Sequence, residues 1–267
     1  MADAFRIEFL GASTAALANP HDIKLSLDGK QLFVSDVDND RVAILDADNL
    51  VLLGDFGVDH QDGTHDVDFD RDGRLYAADT HNGRVTIYEM SGSSGRLVGE
   101  LSERIRKPEG VLVHLNGRIY VGAAWSDNLA VYKNGKVVQE MKGLSAPHDV
   151  GLAPSGDIWL ADAGNNRMLL TPDLNIRQEL SGAPYNFRGP RYQDVMPDGT
   201  LIVADKNTHS VKIIGPDGTL LHVIGTGRAG KGPGRFATPE GAELRGDTLW
   251  IFDSGNDRIV KYRITRQ

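Results

Sequence analysis

Short apolar runs recur along this chain, each broken within a few residues by glycine, asparagine or aspartate. Four of them, LFVS, LYAA, IWLA and LWIF, follow the turns LDGK, RDGR, PSGD and RGDT. Each leads directly into Asp-x-x-Asn-x-Arg: Asp36, Asn39 and Arg41; Asp79, Asn82 and Arg84; Asp162, Asn165 and Arg167; Asp253, Asn256 and Arg258. Runs this short, joined by Gly and Asn turns, predict β-hairpins and not helices. Upstream of each run lies a second motif, PHDIKL from Pro20, THDVDF from Thr64, PHDVGL from Pro147 and PEGAEL from Pro239. Two further copies are degenerate. PEGVLV from Pro108 leads to Ala123 and Asn128 where Asp and Arg stand elsewhere, and RYQDVM from Arg191 leads to Asp205 and Ser210. The aligned position of these motifs falls at 22, 66, 110, 149, 194 and 241.

One copy accommodates four strands; in the fourth they are expected at 148–153, 157–161, 167–171 and 176–181. Four strands in a unit of about 44 residues describe a propeller blade. Six copies predict an all-β, six-bladed β-propeller of four-stranded antiparallel blades, taking residues 1–267 as one unit. The sixth copy is one strand short. The segment FRIEFL, residues 5–10, is expected to complete it by pairing around 258–264.

Composition narrows the class. Glycine is 31 of 267 residues, about 12% against roughly 7% in ordinary chains, as many turns require. Lys plus Arg is 29 and Asp plus Glu is 37, so the net charge is 29 − 37 = −8. That balance argues against nucleic acid and against an anionic membrane as partners. No cysteine is present, which removes disulfides, thiolate metal sites and a cysteine nucleophile. No apolar stretch is long enough to span a membrane, and the first residues lack the pattern of a signal peptide, so a cytoplasmic location is expected.

The Asp-x-x-Asn-x-Arg elements, the Pro-x-Asp or Pro-x-Gly openings and the Gly turns resemble the NHL repeat over nearly the whole chain. The resemblance implies a propeller serving as a protein- or RNA-binding module or as an enzyme. The repeated Asp and Arg are read as structural, because a catalytic pair would not be copied into four blades. An Asp accepts backbone N–H groups in the turn and pairs with the Arg at its far end.

Candidate chemistry lies on the axis. Strand alternation turns one residue of each opening motif toward the channel: His21, His65, Glu109, His148, Gln193 and Glu240. Three of the chain's eight histidines occupy this one position, and no member of the ring is apolar. Neutral imidazoles converging at one point suit a divalent metal, most of all Zn²⁺, held by His21, His65 and His148 or by the alternating set His65, His148 and Glu240. The next residues, Asp22, Asp66 and Asp149, are read as partners fixing the His tautomers or as ligands for Ca²⁺. The blander reading is a polar, water-filled channel lining.

The axial histidines further resemble those of peptidylglycine amidating lyases, which are propellers of this kind. That resemblance implies zinc on His21, His65 and His148, with Asp149 matching an Asp that follows one of them, calcium nearby, and a Tyr and an Arg at the site. Tyr192 and Arg188 are the candidates taken, from the segment that also holds Tyr185 and Arg191. The expectation is a metal-dependent lyase or hydrolase acting on a small-molecule or peptide substrate. Glu109, Glu240 or Tyr192 would transfer the proton. The alternative is a non-catalytic propeller binding a protein or peptide on one face. Lactone hydrolase chemistry on Ca²⁺ is a third reading, which would call for Glu, Asn and Asp and not three His.

Other signals are weaker. The Gly-rich, basic segment 225–236 lacks the Gly-Lys-Ser/Thr of a phosphate loop and reads as a connection between blades. No Gly-x-Ser-x-Gly occurs. Arg104, Arg106 and Lys107 cluster ahead of the third blade, either to attract an anionic substrate or as a solvated loop. Trp125, in the same blade's turn, is a ligand platform or packs on the neighbouring blade. The sequence leaves the oligomeric state open.

Overall fold

The computed structural model describes residues 5–267 and contains six four-stranded antiparallel sheets arranged as a six-bladed β-propeller. The fourth blade follows the expected spacing, with strands Pro147–Leu152, Ile158–Asp162, Arg167–Thr171 and Gln178–Leu180. The sixth combines Ala242–Arg245, Thr248–Asp253 and Arg258–Arg266 with Phe5–Ala12 as its outer strand. Phe5 pairs with Arg266 and Phe9 with Tyr262, so the two ends of the chain close the ring as expected. Helical structure among the described residues is limited to four 3-10 turns, and no helix is long and apolar enough to cross a membrane.

The core is divided into six apolar wedges, one between each pair of neighbouring blades. Phe33, Val42, Leu75 and Tyr88 fill the wedge between blades one and two, for example. Alternation along each strand serves both walls: Phe33 faces blade two while Leu32 and Val34 face blade six.

The repeated polar residues hold each blade's turn. Arg41 Nε donates to Asp36 Oδ2 at 2.7 Å, and the same bond recurs in Arg84–Asp79, Arg167–Asp162 and Arg258–Asp253 at 2.7, 2.6 and 2.8 Å. The four aspartates are fully buried. Their other oxygens take backbone N–H groups of the preceding connection, from Ala18, Asp62, Ser145 and Ala237. Blade five lacks the Arg, and Lys212 supplies the cation to Asp205 from two residues further along the strand. In blade three Asn128 instead bonds the Arg104 carbonyl and Glu140.

Two left-handed positions recur in every blade. The third strand is entered through Asp40, Gly83, Asp127, Asn166, His209 or Asp257, all with φ between 50° and 69°. The innermost strand is entered through Asn19, Gly63, Lys107, Ala146, Gly189 or Thr238, with φ between 42° and 78°. The two sets join neighbouring blades. Gly63 N–H donates to Asp40, Ala146 N–H to Asp127, Gly189 N–H to Asn166 and Asn19 N–H to Asp257, each at 2.8 Å. Thr238 N–H donates to His209 Nδ1 at 3.0 Å. Five of the six junctions carry this latch. The sixth, between blades two and three, has Gly83 opposite Lys107 and no side chain to offer.

Candidate functional site

The innermost strands slip by one residue against their neighbours near the start. Pro20 pairs with Asp36 but Ile23 with Val34, and the same slip occurs after Thr64, Pro147 and Pro190. Such a bulge leaves two consecutive residues opposite one, freeing both from simple alternation. His21, His65 and Asp66, and His148 and Asp149 are thereby buried on the axis, with Asp22 half-buried beside them, in two separate layers.

The first layer holds the expected ring. His65 Nδ1 donates to the Gly63 carbonyl and His148 Nδ1 faces that of Ala146, both at 2.8 Å. A carbonyl only accepts, so the His65 ring carries its proton on Nδ1 and turns Nε2 to the channel, whereas the Arg191 guanidinium, which only donates, stands against both ring nitrogens of His148. His148 Nε2 lies 2.8 Å, and His65 Nε2 3.7 Å, from the same oxygen of Glu109. His21 differs: its Nε2 faces Asn19 Oδ1 at 3.2 Å, its Nδ1 is buried without a partner, and its ring stands edge-on to His65 at 4.4 Å. Opposite, Glu240 is approached by Arg191 Nε at 3.2 Å, by Lys206 Nζ and by His21 Nε2 at 3.9 Å. Neither Glu240 oxygen accepts a well-directed hydrogen bond. The Arg191 guanidinium lies against the His148 ring.

Burial and charge set the protonation states. Burial, only partly opposed by Glu240, pulls His21 down to about 3. Burial likewise lowers His65, with Glu109 opposing. Burial would raise Glu240, but His21, Arg191 and Lys206 outweigh it and hold the carboxyl at about 2. Burial also works against ionised Glu109, and His148 and His65 overcome it, so that carboxyl stays well below its usual range. Near neutrality His21 and His65 are themselves neutral, so there the charges that keep Glu240 ionised are Arg191 and Lys206, and Glu109 keeps the hydrogen bond with His148.

The second layer surrounds a small chamber of about 90 Å³ lined by Asp22, Asp66, Asp68, Asp149, Asp194 and Glu243, with Lys24 and Gln193. Its carboxylates accept backbone N–H groups from other blades' innermost strands. Val111 donates to Asp66, Gln193 to Asp149 and Leu244 to Asp194, at 2.6, 2.7 and 2.7 Å. Burial raises Asp22 and Asp149 well above the usual carboxylate range, and Asp66 to about 6, although the Val111 N–H favours its charged form. Tyr192 lies between the layers, fully buried. Its hydroxyl donates to the Glu109 carbonyl at 2.7 Å, and burial followed by the Glu109 charge raises it well above its ordinary value.

The expected site residues therefore separate. His65, His148 and Glu109 meet, and Glu240 and His21 meet beside them. Asp149 belongs to the acid chamber, whose walls contain no histidine. Arg188 is exposed and touches Asp205 only through its backbone N–H. Arg191 and Lys206 supply the cations instead. Sequence reading passed over Lys206, although it was detectable: the residue after the repeat aspartate is Val37, Thr80, Ala163 and Ser254 elsewhere, and lysine alone is charged there. The three histidines do not form the expected three-nitrogen set, since His21 turns its Nε2 to Asn19. Among the described residues no group of three or more His, Asp or Glu is arranged to hold a metal ion. Arg191 and Lys206 already exceed the charge of Glu240, and the excess opposes a divalent cation at the same place.

No protein-family model matches the chain, and no curated protein matches it. Solved structures of like fold include a catalytically inactive histidine-to-alanine variant of virginiamycin B lyase from Staphylococcus aureus with quinupristin. It is 14% identical, covers 97% of this chain and 99% of its own, and gives a TM-score of 0.69. A streptogramin B lyase is 15% identical over 98% of each chain, with a TM-score of 0.70. A protein of unknown function from Bacteroides thetaiotaomicron VPI-5482 reaches 0.77 at 14% identity, over 98% of this chain and 76% of that one. Identities this low establish a shared propeller fold and nothing of the site.

Proposed function

We propose that the His-Glu layer is the centre of an enzyme that removes or delivers a proton on a small polar substrate, in a lyase or hydrolase reaction. The observation that carries the reading is the Glu109 carboxylate, buried and ionised, with His148 Nε2 at 2.8 Å and His65 Nε2 at 3.7 Å from one oxygen. His148 Nε2 is the ring nitrogen that faces Glu109 and the one through which the two can exchange a proton. Glu109 is placed to share that proton, the arrangement general acid–base catalysis requires. Beside it, Arg191 and Lys206 exceed Glu240 by one positive charge, which suits a carboxylate or a developing oxyanion. Tyr192 takes no part in proton transfer in this reading, because its hydroxyl is held by a carbonyl; it floors the site. Two of the propellers of like fold are lyases, which agrees with the reaction class. The zinc- or calcium-dependent form is not adopted, because the donor set does not fit a metal, and no step depends on one.

The test is depletion of a defined pool of small organic acids and esters by the purified protein, followed by mass spectrometry. The expected result is loss of one compound, abolished by Glu109→Gln and by His148→Asn in variants that remain folded. Turnover unchanged in both variants, or none in the parent protein across the pool, would reject the assignment.

A further inference from the structure

The missing latch between blades two and three coincides with a groove. Its walls are Thr80, His81, Gly83, Ile105, Arg106, Lys107 and Trp125, and its volume is about 290 Å³, the lower end of what holds a small ligand. A Cβ built on Gly83 would meet nothing within 4 Å, so the place filled elsewhere by a latch side chain is open. In a chain of net charge −8, two cations line this groove, and among the described residues neither Arg106 nor Lys107 has a carboxylate partner. Trp125 is 64% exposed, the highest among the chain's tryptophans, and Lys107 Nζ stands 4.9 Å from the centre of its ring. His81, held by Asp62 at 2.7 Å, forms the wall toward the axis, its ring 6.2 Å from that of His65.

The geometry points to a binding site in this groove for a small carboxylate that carries an aromatic ring. The ligand's carboxylate takes the place that Asp40, Asp127 and Asp257 fill at their junctions, accepting the Lys107 backbone N–H between the Lys107 and Arg106 side chains. A charged acceptor is the natural replacement, since three of the five latches are carboxylates. The aromatic ring lies on the exposed Trp125 indole, where ring-to-ring contact adds to the cation already beside it. The site is defined by binding alone and stands whether or not the axial layer turns anything over.

Benzoate is the probe. Its binding is read by NMR at two atoms, the Trp125 indole N–H and the Lys107 amide N–H, with the buried Trp159 and Trp250 indoles as internal references. Benzoate should move both signals saturably. Benzyl alcohol, with no charge, and cyclohexanecarboxylate, with no aromatic ring, should each bind about tenfold more weakly. Gly83→Asp should shift the Lys107 amide in the same direction without any probe and then block benzoate, because its carboxylate restores the latch. The left-handed backbone there suits Asp, as it does at Asp40 and Asp257. Arg106→Gln and Trp125→Ala, both at exposed positions, should weaken benzoate in the same way should Gly83→Asp not fold. A Lys107 amide indifferent to benzoate, or benzoate binding unchanged by these substitutions, would overturn the proposal. Turnover is not measured at any point, so a failed catalytic assay and a failed binding assay remain separate results.

Discussion

Glu243→Gln tests whether the acid chamber works against the fold. Glu243 lines that chamber, and burial, then the neighbouring Asp194, raises its carboxyl from 4.5 to about 8. Between those two values the folded chain keeps a proton that the unfolded chain has released. Stability contributed by the neutral carboxyl is then complete below 4.5 and is lost as pH rises toward 8. The slope is 2.303RT per pH unit throughout that window, so the loss between pH 5 and pH 7 is about 2.5 kcal/mol. This figure needs only that the folded value lie above 7. Glutamine keeps an oxygen for the Leu25 N–H, which Glu243 Oε1 accepts at 3.4 Å, and it removes the titration. Urea unfolding followed by circular dichroism at both pH values gives the comparison. Relative to the parent protein, the variant should gain about 2.5 kcal/mol on going from pH 5 to pH 7. A stability difference that is the same at the two pH values, or that moves against the variant as pH rises, would show that the carboxyl does not stay neutral in the folded chain.

Three other outcomes follow from the same geometry. Deleting Phe5–Ala12 uncovers the edge strand Arg258–Arg266 and the buried Phe5 ring, and should lower stability by about 4 kcal/mol or more in urea unfolding, with association through the bared edge visible in light scattering. Arg167→Ala removes the partner of fully buried Asp162 and should cost about 1–3 kcal/mol in the same assay, while leaving benzoate binding at the Trp125 groove unchanged. Prolonged dialysis against a chelator should leave the melting temperature unchanged, because no described group is arranged to hold a metal; a lower melting temperature restored by Zn²⁺ or Ca²⁺ would contradict that arrangement.

The blades were legible because they repeat. Asp-x-x-Asn-x-Arg marks one turn four times over, and the strand missing from the sixth copy announced its replacement at residues 5–10. The axial layer was legible for the same reason: alternation puts one residue per copy on the axis, and histidine there three times is a pattern. What alternation concealed is the slip after Pro20, Thr64, Pro147 and Pro190, which buries two neighbours per strand and sorts the aspartates into a chamber of their own. The latches were hidden as well, since the left-handed entries read Asn, Gly, Lys, Ala, Gly and Thr, and only the two glycines and Asn19 are types that favour that backbone. Nothing in the sequence ranks Arg191 above Arg188, because the distance to Glu240 runs through the fold and not along the chain.

Closure through Phe5 and Arg266 also fixes when the molecule can be finished during its synthesis. Strand Phe5–Ala12 pairs only with a strand made some 250 residues later, an interval of roughly 12–50 s at ordinary elongation rates. Five blades can assemble in order as they emerge, each resting on the one before. Through all that time Phe5–Ala12 hangs without its partner, and the first blade offers an uncovered apolar wall of Leu32, Val34 and Leu45 to whatever is nearby. Until the closing strand is made to take Phe5–Ala12, that wall is an apolar surface open to misassembly.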